Sequence, residues 1–397
     1  MRSAGMTSHD PAPRPPWRDV EADLVRFIAE TRWETPAPAP HAAADPFSDL
    51  ALRSFRVQCE TIPAYGTYAR HLGRGPDEVH DWREIPPVPA SAFKEHGLSA
   101  APGGSSDHVP PAPPGAVFET SGTTITRPGR VLLTSTRLYE ASLLTSFARH
   151  LLPSGERLQA IIFGPTRAES PHSSLWFMAD RIAATLCDAP SWIVEQGEPR
   201  WERADADLAR ACAERRPVLL LGTTLLFHAY FERCDRKRLR AALPPGSRAM
   251  DTGGAKGTRV ELRRDDIAAS FLRVLGIPRT HLVNEYGMAE LGSQFYEDTL
   301  LSSHERRAAR PGFGMPPWVR TRVLDPESMR EVPEGRPGLL VHYDLANLEV
   351  PLTIQTEDLG ARFGSRLLLE GRLPEAERRG CSLPFEQFLE RERVRQT

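Results

Sequence analysis

The sequence predicts an α/β protein built on a largely buried sheet. Three observations carry that expectation. Between about residues 116 and 325, short apolar runs alternate with stretches of helical period. The apolar runs are continuous rather than alternating, as strands covered on both faces are. Each run ends in a cluster of glycine, threonine and polar residues, which is where open α/β sheets receive ligands.

Residues 1–16 are rich in proline, alanine and serine and are expected to be disordered. A helical pattern begins near Trp17 (Val20, Leu24, Phe27, Ile28) and stops before a linker at Pro36 to Pro40. A second helix is expected from Pro46 through Val57, after which Pro63, Gly66, Gly73 and Gly75 read as breakers. Trp82 to Lys94 carries Pro86, Pro87 and Pro89 and reads as extended. Residues 17–115 therefore form a mainly helical N-terminal region. In the 116–325 core, strands are expected at Val131–Leu133, Leu158–Phe163, Val218–Leu221, Arg248–Met250 and His281–Val283. Helices are expected around Leu138–Leu152 and Arg259–Leu275. Near the C-terminus Arg320–Leu324, Gly338–Tyr343, Val350–Gln355 and Arg366–Leu369 look like strands between Gly/Pro turns, so 326–397 is expected to be β-rich.

With 397 residues, 40% hydrophobic and 26% charged, the chain can bury a large core and has an ordinary soluble composition. A net charge of −2 argues against nucleic acid or an anionic membrane as the main partner. No apolar run is long enough to span a bilayer and no signal-peptide core is visible, so a cytoplasmic location is expected. Cys59, Cys187, Cys212, Cys234 and Cys381 are scattered without a C-x-x-C pair, which fits a reducing compartment and neither disulfides nor zinc. Arginine carries almost all the positive charge, since Lys94, Lys237 and Lys256 are the only lysines.

The stretch from Phe118 to Arg130 organises the rest. Thr120, Ser121, Thr123, Thr124 and Thr126 crowd around Gly122, with Arg127 and Arg130 behind. Glycine lets the backbone approach a ligand, and successive N–H groups and hydroxyls then bind phosphate oxygens. The arginines add charge-assisted contacts to the same anion. Walker spacing is missing, and a solvated Ser/Thr turn has the same composition. Asp251-Thr-Gly-Gly-Ala-Lys-Gly257 sets glycines at a strand end, where a flat base can lie against bare backbone at Gly253 and Gly254. Lys256 can reach a phosphate or a carboxylate from there, although a tight turn before a helix looks alike. Two further stretches stand out, Asn284-Glu-Tyr-Gly-Met-Ala-Glu290 and Thr356-Glu-Asp-Leu-Gly360, the latter followed by Gly371-Arg372.

In this order, the stretches resemble the adenylate-forming enzymes: acyl-CoA synthetases, luciferases and peptide-synthetase adenylation domains. The first resembles their Thr-Ser-Gly-Thr-Thr-Gly phosphate loop, with Ile125 in place of the second glycine and Arg130 where lysine is common. The 284–290 stretch resembles Tyr-Gly-x-Thr-Glu, with Ala289 in place of threonine. That likeness implies that Tyr286, beside Gly287, stacks on adenine and that Glu290 binds Mg²⁺, which takes hard oxygen ligands. The resemblance of 356–360 to Thr-Gly-Asp-Leu implies that Asp358 holds the ribose hydroxyls, and a carboxylate suits a cis-diol. Gly371-Arg372 resembles the hinge whose arginine also touches the ribose. The implied fold is the adenylate-forming large domain with a helical N-terminal region and a β-rich C-terminal subdomain. It lacks the full mobile C-terminal domain and its catalytic lysine, whose charge Lys256, an arginine or a partner would replace.

Arg378-Arg-Gly-Cys-Ser-Leu383 follows closely, and Ile85 to Lys94, Pro171 to Leu175 and Gly253 to Gly257 match as well. Together they narrow the resemblance, over about residues 45–385, to the acyl-protein synthetases of LuxE type. That family implies ATP- and Mg²⁺-dependent activation of a carboxylic acid, a fatty acid, to acyl-AMP. It further implies acyl transfer to Cys381 as a thioester and on to a partner protein such as a reductase or carrier. Arg372, Arg378 and Arg379 favour the thiolate electrostatically, while a buried cysteine also serves as a small hydrophobe. Two other readings stay open. One is adenylation followed by transfer to coenzyme A, a carrier thiol or an amine. The other is a non-catalytic nucleotide-binding subunit, which Ile125 and Ala289 favour.

Overall fold

The computed structural model describes residues 17–33, 45–94, 98–100, 115–120, 128–253 and 262–373. Five strands lie side by side in the order Asp188–Trp192, Gln159–Phe163, Val218–Thr223, Arg248–Thr252 and Leu282–Tyr286, and all run parallel. Their sequences account for this. In Gln159–Phe163 successive apolar residues serve opposite faces: Ala160 and Ile162 join one buried cluster, Ile161 and Phe163 another. Leu219 and Leu221 against Val218 and Leu220 repeat the pattern one strand over. Helices Arg137–Leu151 and Ser174–Leu186 cover the first face, while Trp201–Glu214, Thr224–Lys237 and Arg264–Leu275 cover the second. Each large side chain buried there, such as Phe227 or Phe271, contributes about 1.5–3 kcal/mol. The chain passes outward from Gln159–Phe163 to Asp188–Trp192 and then returns to the other side at Val218–Thr223. Such a reversal opens a crevice at the carboxyl ends of the strands.

Beyond Leu282–Tyr286 the same sheet becomes antiparallel. Phe295–Glu297, Phe313–Gly314, Arg366–Arg372, Thr353–Phe363, Gly338–Asp344 and Val319–Leu324 follow in space. The short strand Val88–Pro89 pairs in parallel with Ile354 and Gln355.

Helices Arg18–Glu30 and Pro46–Thr61 lie where the periodicity predicts them. Pro63 and Gly66 do not break the chain, which is helical over Pro63–His71. Proline is tolerated in a first turn, where its missing N–H is not needed. Gly66 crosses the preceding helix closely: a Cβ there would sit 2.1 Å from the Cys59 carbonyl oxygen. The proline-rich segment is extended only at Val88–Pro89, between 3₁₀ turns Trp82–Glu84 and Ala90–Lys94. Its prolines exclude an α-helix but not one tight turn on either side. Helices Ser174–Leu186, Trp201–Glu214 and Thr224–Lys237 fall between the expected strands, because parallel neighbours require crossovers. Among the described residues no helix is long and apolar enough to cross a membrane.

One buried side chain ties the N-terminal helices to the β-rich half. Gln58 Nε2 donates to the carbonyls of Asn347 (2.9 Å), Leu348 (3.2 Å) and Val350 (2.7 Å), and its Oε1 accepts from the Leu352 N–H at 3.1 Å. Asn347 Nδ2 in turn donates to the Glu290 carbonyl at 2.8 Å. The loop that supports Glu290 is thereby fixed from two sides.

Candidate active site

Two parallel strands end together at the crevice. Thr252 and Glu285 are register partners, so Gly253 and Tyr286 leave the sheet at the same edge. Asn284 Nδ2 donates to the Asp251 carbonyl at 2.9 Å and holds the ends together. Behind them, Asp251 is fully buried and accepts Arg264 Nη1 at 2.6 Å and the Thr224 hydroxyl at 2.8 Å. Glu285 accepts the Thr252 hydroxyl. These carboxylates are committed to supporting the strand ends. Gly253 is exposed, and its carbonyl accepts the Thr224 hydroxyl at 2.8 Å.

The Tyr286 ring is partly buried among Phe295, Phe313 and His342, with centroids 5.5, 5.9 and 6.0 Å away. Its hydroxyl donates to Asp358 Oδ2 at 2.8 Å and lies 3.4 Å from His342 Nε2. Burial first, and the nearby Asp358 second, push the phenol well above its ordinary pKa, so it stays a neutral donor. Burial holds His342 down at about 4, hence neutral, and its Nδ1 hydrogen-bonds the Thr321 hydroxyl at 2.8 Å. Asp358 and Arg372 are direct partners across two antiparallel strands, and Arg372 Nε donates to Asp358 Oδ1 at 2.8 Å. A register shift between Leu359 and Gly360 sits beside this pair, where a bulge re-aims side chains. Three residues far apart in sequence, Tyr286, Asp358 and Arg372, thus meet around one carboxylate.

Glu290 follows Gly287 on the same turn and is 6% exposed. Among the described residues no side chain hydrogen-bonds or ion-pairs with its carboxylate. Its carboxyl is pushed up to about 7: burial raises it, its own backbone amide, Lys94 and Arg372 pull it back, and Glu357 raises it further. A buried carboxylate that no described side chain pairs with directly is costly to ionise, and a cation would relieve that cost.

Thr120 and Gly129 are described residues that flank the hydroxyl-rich stretch. Strands Ala116–Glu119 and Arg130–Leu133 pair antiparallel. The Thr120 N–H then donates to the Gly129 carbonyl at 2.8 Å, and the Gly129 N–H to Thr120 Oγ1 at 3.0 Å. Ser121, Gly122, Thr123, Thr124, Gly254, Lys256 and Cys381 lie outside the described residues. Among residues that sequence reasoning left without a role, His342, Gln58, Asn347 and Lys94 all bear on the site. Only Lys94 carried a signal, as one of three lysines in a chain with 50 basic residues.

The family model described as acyl-protein synthetase, LuxE, matches residues 51–390. The chain is similar to the long-chain-fatty-acid–luciferin-component ligase of Vibrio harveyi, 24% identical over 356 residues that cover 86% of this chain and 87% of that protein. Its likeness to the ligase of the same name from Aliivibrio fischeri is 22% over 290 residues, covering 72% and 71%. Among solved structures it is similar to an open conformation of 2-hydroxyisobutyryl-CoA ligase in complex with 2-HIB-AMP and CoA. There the TM-score is 0.60 at 17% identity, over 89% of this chain and 83% of that one. The same ligase in its postadenylation state gives a TM-score of 0.60 at 17% identity, over 88% and 74%. The likeness shows the fold, that of the adenylate-forming ligases.

Proposed function

This chain belongs to the LuxE acyl-protein synthetase family of acid ligases, and from that premise we propose that it activates a long-chain fatty acid with ATP and Mg²⁺ and passes the acyl group through Cys381 to a partner protein. The observation that carries the reading is the meeting of Tyr286, Asp358 and Arg372 beside the buried Glu290. The names of the two curated relatives support the class of acid.

In the first half-reaction a carboxylate oxygen of the acid attacks the α-phosphorus of ATP. The bond from that phosphorus to the bridging oxygen breaks, pyrophosphate leaves with the electron pair, and acyl-AMP remains. This chain contributes positioning and charge. A carboxylate has about four lone-pair sites. Tyr286 and Arg372 use two on Asp358, and the other two suit the ribose 2′- and 3′-hydroxyls. Tyr286 and the backbone at Gly253 and Gly254 seat adenine. Thr120 to Thr124 grip the phosphates, and Lys256 and Arg372 offset their charge. Glu290 fits Mg²⁺ by its chemistry, being a buried hard-oxygen donor with no cation bonded to it among the described residues. Among the described residues no group of three or more His, Cys, Asp or Glu could hold a metal ion. Glu290 would be a protein ligand, with phosphate oxygens and water completing the shell, and bound Mg²⁺ would neutralise developing phosphate charge. In the second half-reaction the Cys381 thiolate attacks the acyl carbon, AMP leaves and a thioester forms. A reductase or carrier then takes the acyl group.

The test is acid-dependent ATP–pyrophosphate exchange across fatty acids of graded length, together with hydroxylamine-labile labelling of the protein. Cys381→Ser is expected to keep exchange and lose the label, with the other four cysteines dispensable. A Cys381→Ser protein labelled like wild type removes the covalent step and leaves a ligase acting on a diffusible thiol or amine. Absence of acid-dependent exchange in the unmodified protein removes adenylation itself.

A further inference from the structure

We propose that Lys94 is the residue that binds the pyrophosphate portion of the nucleotide, its ammonium pairing with an oxygen of the leaving phosphates opposite the Glu290 carboxylate. The proposal rests on the adenylation reading and adds a residue to it.

Three separate features of the fold bring Lys94 there. It ends the 3₁₀ turn Ala90–Lys94, and the strand just before that turn, Val88–Pro89, pairs with Ile354 and Gln355. Those partners lie a few residues before Asp358 on the same strand, so Lys94 is held in register with the carboxylate proposed for the ribose. The turn is also locked against Gly129 and Thr120, which flank the hydroxyl-rich stretch. A Cβ on Gly129 would lie 2.9 Å from the Phe93 carbonyl carbon and 3.0 Å from Thr120 Oγ1, so only glycine lets the two backbones touch. Phe93 is 3% exposed and anchors the contact, while Lys94, the next residue, is exposed.

Charge supplies the third feature. Lys94 carries its charge at the exposed end of this turn. Yet among the described residues it makes no ion pair with any carboxylate. Arg372, by contrast, is already engaged, with Asp358 at 2.8 Å and Glu357 at 3.9 Å. Glu290 is buried with no described side chain bonded to its carboxylate, and Lys94 has no carboxylate partner among the described residues. An anion on the lysine and a cation on the glutamate, as a metal–phosphate unit offers, satisfies both. A lysine suits a phosphate oxygen as a compact point charge on a flexible stem.

The experiment compares wild type, Lys94→Ala and Lys94→Arg as full-length proteins. Calorimetry measures the affinities for Mg²⁺-pyrophosphate and for AMP, and exchange assays give KM for MgATP. A charge-assisted contact of this kind is worth about 10- to 100-fold in affinity. Lys94→Ala is expected to weaken pyrophosphate and MgATP by that factor and to leave AMP within about twofold, with Lys94→Arg intermediate. Unchanged AMP affinity also certifies the fold. Equal losses for AMP and pyrophosphate, or no loss for either, overturn the assignment. If pyrophosphate binding depends on Lys94 but wild type shows no acid-dependent exchange, Lys94 stands as a phosphate ligand and the adenylation reading fails.

Discussion

Asp358 and Glu290 are buried almost equally, 7% and 6% exposed, yet their surroundings differ in kind. Asp358 sits mid-strand between Tyr286 and Arg372, each donating at 2.8 Å, and its position is over-determined by two antiparallel neighbours. Glu290 stands on a turn held through its backbone by Asn347, and its carboxylate receives no described side chain. One end of the site is assembled before any ligand arrives. The other holds an acid group whose ionised form the protein alone stabilises poorly. On the proposed reading the difference suits two classes of ligand: a neutral diol needs a ready-made acceptor, whereas a metal ion supplies the charge that the protein withholds.

The comparison can be broken at the Glu290 end, where the largest effect is expected. Glu290→Gln should lower acid-dependent pyrophosphate exchange by at least about a hundredfold at saturating Mg²⁺, the scale of one lost electrostatic contact in a transition state. Exchange near the wild-type rate would show that another group holds the metal.

A smaller effect sharpens the same contrast in the unliganded protein. The Glu290 carboxyl is raised by folding to about 7, chiefly through burial. Its contribution to stability is therefore fully present below the unfolded carboxyl value and is lost as pH rises through about 7. Glu290→Gln cannot ionise, so without Mg²⁺ it should gain stability on wild type as pH climbs from about 4.5 to about 7, levelling at about 3 kcal/mol. Excess Mg²⁺ should erase that advantage by favouring the ionised carboxylate. Chemical denaturation at pH 5 and pH 8, with and without Mg²⁺, reads it directly, and a pH-independent difference contradicts it.

Much of this was legible because the relevant stretches are local. Tyr286, Asp358 and Arg372 stand in short, ordered stretches with polar residues after apolar runs, and the structure brings the three side chains together. The parallel strands were legible from unbroken apolar runs such as Ala160–Phe163, and the helices between them follow from parallel connectivity. Other features depend on contacts that sequence does not display. Gly66 looks like a breaker until its close approach to Cys59 is seen. Gln58 looks like an ordinary polar helix residue, yet it reaches a loop nearly three hundred positions away. His342 sits inside an apolar strand, and only the fold shows that it backs the Tyr286 hydroxyl. Lys94 acquires meaning only once the Val88–Pro89 pairing and the contact of Phe93 with Gly129 bring its turn to the strand of Asp358 and to Thr120.

The most direct test of a site with one preassembled end and one cation-dependent end is calorimetry of AMP and ATP, each with and without Mg²⁺, on wild type, Asp358→Ala and Glu290→Gln. Asp358→Ala should weaken AMP and MgATP alike, by about 10- to 100-fold, while Mg²⁺ still strengthens ATP binding. Glu290→Gln should bind AMP as wild type does and lose the strengthening of ATP by Mg²⁺. A Glu290→Gln protein that keeps the Mg²⁺ effect, or an Asp358→Ala protein that binds AMP undiminished, contradicts the division of labour between the two carboxylates.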